Sequence, residues 1–298
     1  MSALVPFLRS SVDDSAETLR AHMAEDGYLF FPQLIPDKSI LNVRREILAL
    51  CSEADWLDSE RETEEGIAAS GVACVEGQPE FMRVYNRLQH SEAFHALAHA
   101  SALLEVLERL FGEQPLPHAR NIARIIFPQN VRFTTPSHQD YIHIQGTEQT
   151  YTTWIPLGEC PEELGSLTVL RGSHTLGILP VHKADGAGGL GIDTDSLQNE
   201  WVGGDFKIGD AILFHSLAVH KALPNTTPER IRLSVDFRYQ PLSHPVHSSS
   251  MEPHHGQVKW SEIYRDWIDP QFQYYWQRLP LNYADLDSRV QTVRAAAG

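Results

Sequence analysis

The chain has 298 residues, with 24 lysines and arginines against 39 aspartates and glutamates, a formal net charge of −15 with neutral histidine. Hydrophobic residues make up 42% and charged residues 21%, a globular composition that excludes a disordered or fibrous chain. The acidic balance speaks against nonspecific binding to nucleic acid or to an anionic membrane, and no apolar run approaches the roughly 18 residues of a membrane helix. Residues 1–10 lack the apolar core of a signal peptide. Cys51, Cys74 and Cys160 are odd in number and widely spaced, which gives no disulfide framework, so a reduced, cytoplasmic protein is expected. Fifteen histidines turn attention to metals.

In chain order, Asp14 with Glu17 makes a capping-box pattern, and Ala16, Leu19 and Met23 follow at helical spacing up to Gly27. Tyr28–Phe31, stopped by Pro32, reads as a short strand. Asp37 is placed to cap a second helix with Ile40, Val43, Ile47 and Leu50 on one stripe. The stretch 91–111, rich in Ala, Leu and Glu, gives one or two further helices, stopped by Gly112. After residue 118 the pattern changes. Short runs bounded by Pro and Gly (122–127, 141–145, 151–157, 166–170, 206–208, 211–215 and 230–240) read as the strands of a sandwich or jelly roll. Residues 260–278 return to helix, broken at Pro270. With no repeat and no dividing linker, the expectation is one domain over 1–298. It has a mostly helical part at 1–117, a jelly-roll core at 118–240 and a C-terminal helical extension at 241–298.

The run 230–240 alternates strictly. Ile231, Leu233, Val235, Phe237 and Tyr239 share one face; Arg230, Arg232, Ser234, Asp236 and Arg238 share the other. The plain reading puts the second face in water. In a jelly roll the same face can line a polar pocket while the apolar face packs under helices.

The chemistry concentrates at Ser137-His138-Gln139-Asp140. In a strand, side chains at i and i+2 point the same way, so His138 and Asp140 would project together, roughly 6–7 Å apart at the backbone. Two histidines and one carboxylate on a triangular face leave three positions open, the arrangement of non-heme iron oxygenases. The best third ligand is His220, 80 residues after Asp140, which suits opposite ends of a jelly roll. His143 and His215 are rivals, read as a backbone-bonded and a core histidine. An α-keto acid co-substrate would need a guanidinium for its far carboxylate. Arg230 and Arg232 share a face, and strand parity does not choose between them.

Taken in order, Ser137-His138-Gln139-Asp140, Trp154-Ile-Pro-Leu, Gly165-Ser-Leu-Thr-Val-Leu-Arg-Gly172-Ser-His174, Gly209-Asp210, His220 with Pro224-Asn225, and the 230–240 run resemble the phytanoyl-CoA dioxygenase (PhyH) family of iron(II)/2-oxoglutarate oxygenases. The resemblance implies a mainly β fold with flanking helices around a double-stranded β-helix (jelly-roll, cupin-like) core. It maps iron onto His138, Asp140 and His220, and the 2-oxoglutarate clamp onto Arg232. It places Ser137 and Trp154 at the co-substrate. Ala222 stands where many relatives carry a hydroxyl. Fe(II), 2-oxoglutarate and O2 are the implied cofactor and co-substrates. The implied reaction is hydroxylation of an unactivated C–H bond of a small organic molecule, with release of succinate and CO2.

Candidate substrate residues are Arg132, Tyr141, His143 and, within Phe81–Asn86, Tyr85. A small-molecule partner is expected, without nucleic acid or membrane; oligomeric state is open. Alternatives are a cupin-like metalloenzyme using the triad without 2-oxoglutarate, a noncatalytic binding homologue, and a zinc hydrolase. Gly186-Ala-Gly188-Gly-Leu-Gly191 matches a dinucleotide fingerprint in letters only. No helix pattern follows it, so it reads as a loop, a possible lid. Gly165, Gly172 and Gly209-Asp210 read as turns.

Overall fold

A computed structural model of the protein describes residues 4–297. Helices cover one side of a two-sheet core. The first helix, Ala16–Asp26, starts one residue later than the capping pattern suggests. Ser15 is the cap, its Oγ accepting from the Thr18 N–H at 3.1 Å, while Asp14 accepts from the Ser11 N–H. It stops at Gly27 (φ 78°), where the chain must enter the left-handed region. Helix Asp37–Glu53 takes Asp37 as its first residue and Pro36 as its cap. Pro79–Leu88, Glu92–Leu97 and Ser101–Phe111 follow, so the 91–111 stretch is two helices.

The larger sheet runs Tyr28–Phe31, Ala211–His215, Tyr151–Pro156, Arg232–Pro241. Both Pro115–Pro117 and Ile122–Ile126 then pair antiparallel to Arg232–Pro241. The smaller sheet runs Val5–Pro6, Trp201–Gly203, Leu167–Leu170, His220–Ala222. The Trp201–Gly203 strand escapes the sequence pattern, being three residues long. The expected strand at 206–208 reduces to a single bridge between Cys160 and Phe206.

The sheets face each other across Tyr28, Trp154, Val169, Val202, Phe206 and Ile212, all buried. On the outer side of the larger sheet, Leu233, Val235, Phe237 and Tyr239 pack with Ile40, Ile47, Leu88 and Leu107 from the helices. Alternation therefore sends Arg232, Ser234, Asp236 and Arg238 into the space between the sheets rather than into water. Arg232 is 3% exposed and Arg238 7%. Apolar burial under the helices is what turns this strand's polar face inward.

Two further expectations are corrected. Residues 141–145 are not a strand: Tyr141–Ile144 is one helical turn with Asp140 at its cap position. The stretch 260–278 holds only the short helix Trp260–Ile263 and two 3-10 turns, at Pro270–Phe272 and Tyr275–Arg278. The longer helix of the C-terminal part is Ser288–Ala296. Aromatic crowding of Trp260, Tyr264, Trp267, Tyr274 and Trp276 holds this segment by side-chain packing, which does not need a continuous helix. Among the described residues no helix is long and apolar enough to cross a membrane.

Several histidines are structural. His118 Nε2 donates to Gln240 Oε1 at 2.9 Å, and His95 sits between the Gln89 carbonyl and Asn121. Burial pushes His118 down to about 3 and His95 and His215 to about 4, from an ordinary 6.5. The unfolded chain thus binds protons between about 6.5 and 4 that the fold refuses. Stability is whole above pH 6.5 and falls as pH drops through this window, by up to ~1.4 kcal/mol per pH unit for each such histidine. Urea midpoints at about pH 7.5 and about pH 5 check this; an unchanged midpoint refutes it.

Candidate metal centre

His138 and His220 face each other across an isolated antiparallel bridge, each N–H donating to the other's carbonyl at 3.0 Å. The bridge joins segments 82 residues apart in sequence and sets the two rings 4.1 Å apart, centroid to centroid. Each ring is fixed by its own backbone. His138 Nδ1 lies 2.8 Å from the Pro136 carbonyl oxygen, and His220 Nδ1 lies 3.0 Å from that of Ala218. A carbonyl only accepts, so Nδ1 carries the proton in both, and both Nε2 lone pairs are free for a metal.

Those Nε2 atoms lie 3.6 and 3.9 Å from Asp140 Oδ1. The three ligand atoms all fall within 4.8 Å of one another. Asp140 arrives by a different route from the one the sequence suggests. His138 is in a bridge and Asp140 in helical backbone (φ −61°, ψ −33°), so the turn between them, not strand alternation, brings the two side chains together.

Asp140 is buried, and burial alone would favour its neutral form. The Arg238 guanidinium and the two imidazoles outweigh that and hold its carboxyl well below the usual range. Arg238 Nη2 donates to Oδ1 at 3.2 Å, and Thr152 Oγ1 donates to Oδ2. Thr152 and Arg238 are direct cross-strand partners, so the sheet register delivers both to one carboxylate. Burial pushes His220 down to about 3, a neutral imidazole fit for a metal. Two imidazoles and an anchored carboxylate suit a divalent first-row ion.

Behind the triad is a pocket lined by Thr135, Trp154, Leu167, Ala222, Arg232 and Asp236, among others. Of the two arginines that strand parity left open, Arg232 lines this pocket and Arg230 does not. Arg230 sits in a separate bridge with Ile67, its carbonyl accepting from Asn225. Arg232 Nη1 donates to Ser234 Oγ at 2.9 Å, its Nε has no partner, and it makes no salt bridge among the described residues. The Trp154 ring lies 5.9 Å beneath it. A buried guanidinium without a counter-ion is costly unless an anion joins it.

In front of the triad opens a chamber of about 340 Å³. His143 lines it, its ring 6.1 Å from that of His138. Gly188 lines it too, from the loop between the paired segments His182–Lys183 and Leu190–Gly191. A side chain at Gly188 (φ 85°) would meet His143 at 3.0 Å, so the glycine lets the loop close over the chamber. Gly188 of the fingerprint-like run thus forms part of the chamber wall, and no helix follows the run, as the sequence pattern suggests.

Other expected site residues lie elsewhere. Ser137 lines neither cavity; its carbonyl accepts from the Ile192 N–H, while Thr135 lines both. Arg132 is exposed and ion-paired with Asp185. Tyr141 is buried with its hydroxyl donating to Asp287 at 2.9 Å. Tyr85 lies behind the wall, 2.7 Å from His254 Nδ1. His215 accepts from the Leu217 N–H and joins neither cavity. The sequence reading missed Thr152 and Arg238 as supports of Asp140. It also missed Glu76, Arg120, Arg124, His254, His255 and Arg294, which line the chamber. The only local signal was Arg238 on the polar face of its strand.

Two imidazoles and one carboxylate meeting inside a two-sheet β core, with an anion-seeking guanidinium behind, place the chain in the class of non-heme iron(II)/2-oxoglutarate-dependent oxygenases. The particular family is Phytanoyl-CoA dioxygenase (PhyH): its model matches residues 23–234, and the chain belongs to it. A curated relative, 1-deoxypentalenic acid 11-beta-hydroxylase of Streptomyces arenae, is 30% identical over 153 residues, 47% of this chain and 54% of that protein. The chain thus spans about half the length of the curated relatives it matches. Among solved structures, the non-heme alpha ketoglutarate dependent carbocyclase SnoK from nogalamycin biosynthesis aligns with TM-score 0.54 and 20% identity, covering 80% of this chain and 89% of that one. The epimerase SnoN from nogalamycin biosynthesis gives 0.52 and 19%, covering 78% and 84%. At these identities the two structures bear on the fold.

Proposed function

We propose that the protein hydroxylates a C–H bond of a small organic molecule, consuming 2-oxoglutarate and O2 and releasing succinate and CO2. The observation that carries this reading is Arg232: a buried guanidinium, unpaired among the described residues, in the pocket lined by His138, Asp140 and His220. A metal without a dicarboxylate co-substrate would leave that charge uncompensated. Relatives named hydroxylases support the same reading.

His138, Asp140 and His220 would hold the iron, and Arg232 would take the distal carboxylate of 2-oxoglutarate, as an arginine fork does bidentately. Iron with 2-oxoglutarate and O2 supplies the oxidant that breaks the C–H bond. The protein's own work is placement. Arg238 and Thr152 keep Asp140 anionic and aimed; the Pro136 and Ala218 carbonyls keep each Nε2 lone pair on the metal side; Trp154 stacks under Arg232 and keeps water from its face. Balance requires one oxygen atom of O2 in the product and the other in succinate. The test is succinate release by anaerobically reconstituted protein, started with oxygen. Oxygen-dependent succinate supports the reading, and metal-loaded protein that consumes no 2-oxoglutarate with any candidate substrate refutes it.

A further inference from the structure

The lining of the chamber in front of the triad holds more arginines than carboxylates. Overall the chain is at −15, yet four arginines (Arg120, Arg124, Arg238 and Arg294) face two carboxylates, Glu76 and Asp140, in the chamber lining. Two of the arginines are accounted for. Arg124 bonds Glu76 at 2.5 Å and Asp236 at 3.1 Å, and Arg238 bonds Asp140. The other two make no salt bridge among the described residues, although the Glu252 carboxylate lies near enough to Arg120 to favour its charge. Arg120 Nε reaches only the Glu252 backbone carbonyl, at 3.4 Å, and Arg294 Nη2 lies 3.4 Å from His143 Nδ1.

Both are placed by substantial structure. The Arg120 N–H is held by the Ser250 carbonyl, and burial together with nearby Arg238 opposes its charge. Arg294 rides on helix Ser288–Ala296, whose Val290 is fully buried. The cap of that helix, Asp287, accepts from Tyr141 and donates its N–H to Gln145, on either end of the turn that follows Asp140. The helix is thereby tied to the segment that carries a metal ligand. Arg294, like His254 and His255, lies beyond residue 234, where the family match ends, so this wall of the chamber belongs to the chain's own C-terminal part.

We propose that Arg120 and Arg294 bind the carboxylate of the substrate, making a free organic acid the class of molecule oxidised here. The proposal rests on the oxygenase reading for the reaction, though not for the binding. Guanidinium groups on the wall of one cleft favour a planar anion over a neutral isostere. A chamber of about 340 Å³ has room for a small organic acid.

Calorimetry with octanoate, cyclohexylacetate and naphthoate, each against its primary amide, tests this on the protein both with and without iron(II) and 2-oxoglutarate. At least one acid should bind roughly tenfold or more tighter than its amide, and Arg120→Met and Arg294→Met should each weaken that acid roughly tenfold. Arg294 is exposed, so its variant is the one free of folding effects. Acids no tighter than amides, binding untouched by both substitutions, or octanoyl-coenzyme A binding tighter than octanoate would overturn the proposal. Loss of the charge-transfer absorbance of the iron–2-oxoglutarate complex in the unaltered protein would count against the oxygenase reading alone, since the acid–amide comparison stands without iron.

Discussion

His138→Ala and His220→Ala should each abolish iron retention and oxygen-dependent succinate formation while leaving the fold intact. Each imidazole supplies one ligand atom, and neither is salt-bridged to anything except the triad's own carboxylate. The loss in metal affinity should exceed the roughly hundredfold that removing a ligand's supporting hydrogen bond costs. Asp140→Ala should behave differently. Arg238 is 7% exposed, and Asp140 is its one carboxylate partner among the described residues, so truncating Asp140 strands a buried cation. We expect about 3–5 kcal/mol of destabilisation in addition to metal loss. Metal analysis after anaerobic reconstitution, with urea unfolding of the metal-free proteins, separates the cases. Histidine variants that retain full iron would remove the proposed centre, and an Asp140→Ala variant as stable as its parent would remove the account of Arg238.

Arg232→Met should raise the 2-oxoglutarate requirement by about 30-fold or more, because it deletes the buried cation to which the distal carboxylate would pair. The same substitution should stabilise the protein without co-substrate, since it removes an uncompensated buried charge and fills the space with an apolar chain of similar length. Opposite signs in stability and in co-substrate binding are the signature of a clamp; a structural arginine would lose both. Arg230→Met should do neither, its side chain lying outside the pocket. KM for 2-oxoglutarate and melting temperatures of both variants decide it. An effect confined to Arg230→Met would overturn the assignment.

Much of this was legible in one dimension. The period-two alternation at 231–239, the punctuating glycines at 27, 112, 165 and 209, and the apolar stripe at Ile40, Val43 and Ile47 are local signals, and local backbone preferences are what sequence encodes directly. The donor chemistry of His138, Asp140 and His220 is likewise written in residue type and order. The geometry of the pair 138 and 140 was not. Alternation would serve for two ligands in a strand, whereas Asp140 caps a helical turn, and a one-turn helix is too short to leave a periodic pattern.

What the sequence determined by itself, then, is the class: a jelly-roll core carrying one facial set of ligands and an arginine strand. What only the tertiary structure decided is which arginine faces the pocket, that Thr152 and Arg238 converge on Asp140, and that Glu76, Arg120, His254, His255 and Arg294 share one chamber. Those facts depend on sheet register and on packing between segments up to 218 residues apart, from Glu76 to Arg294. Such contacts are set by burial of side chains from the whole chain at once, and no local stretch of residues contains them.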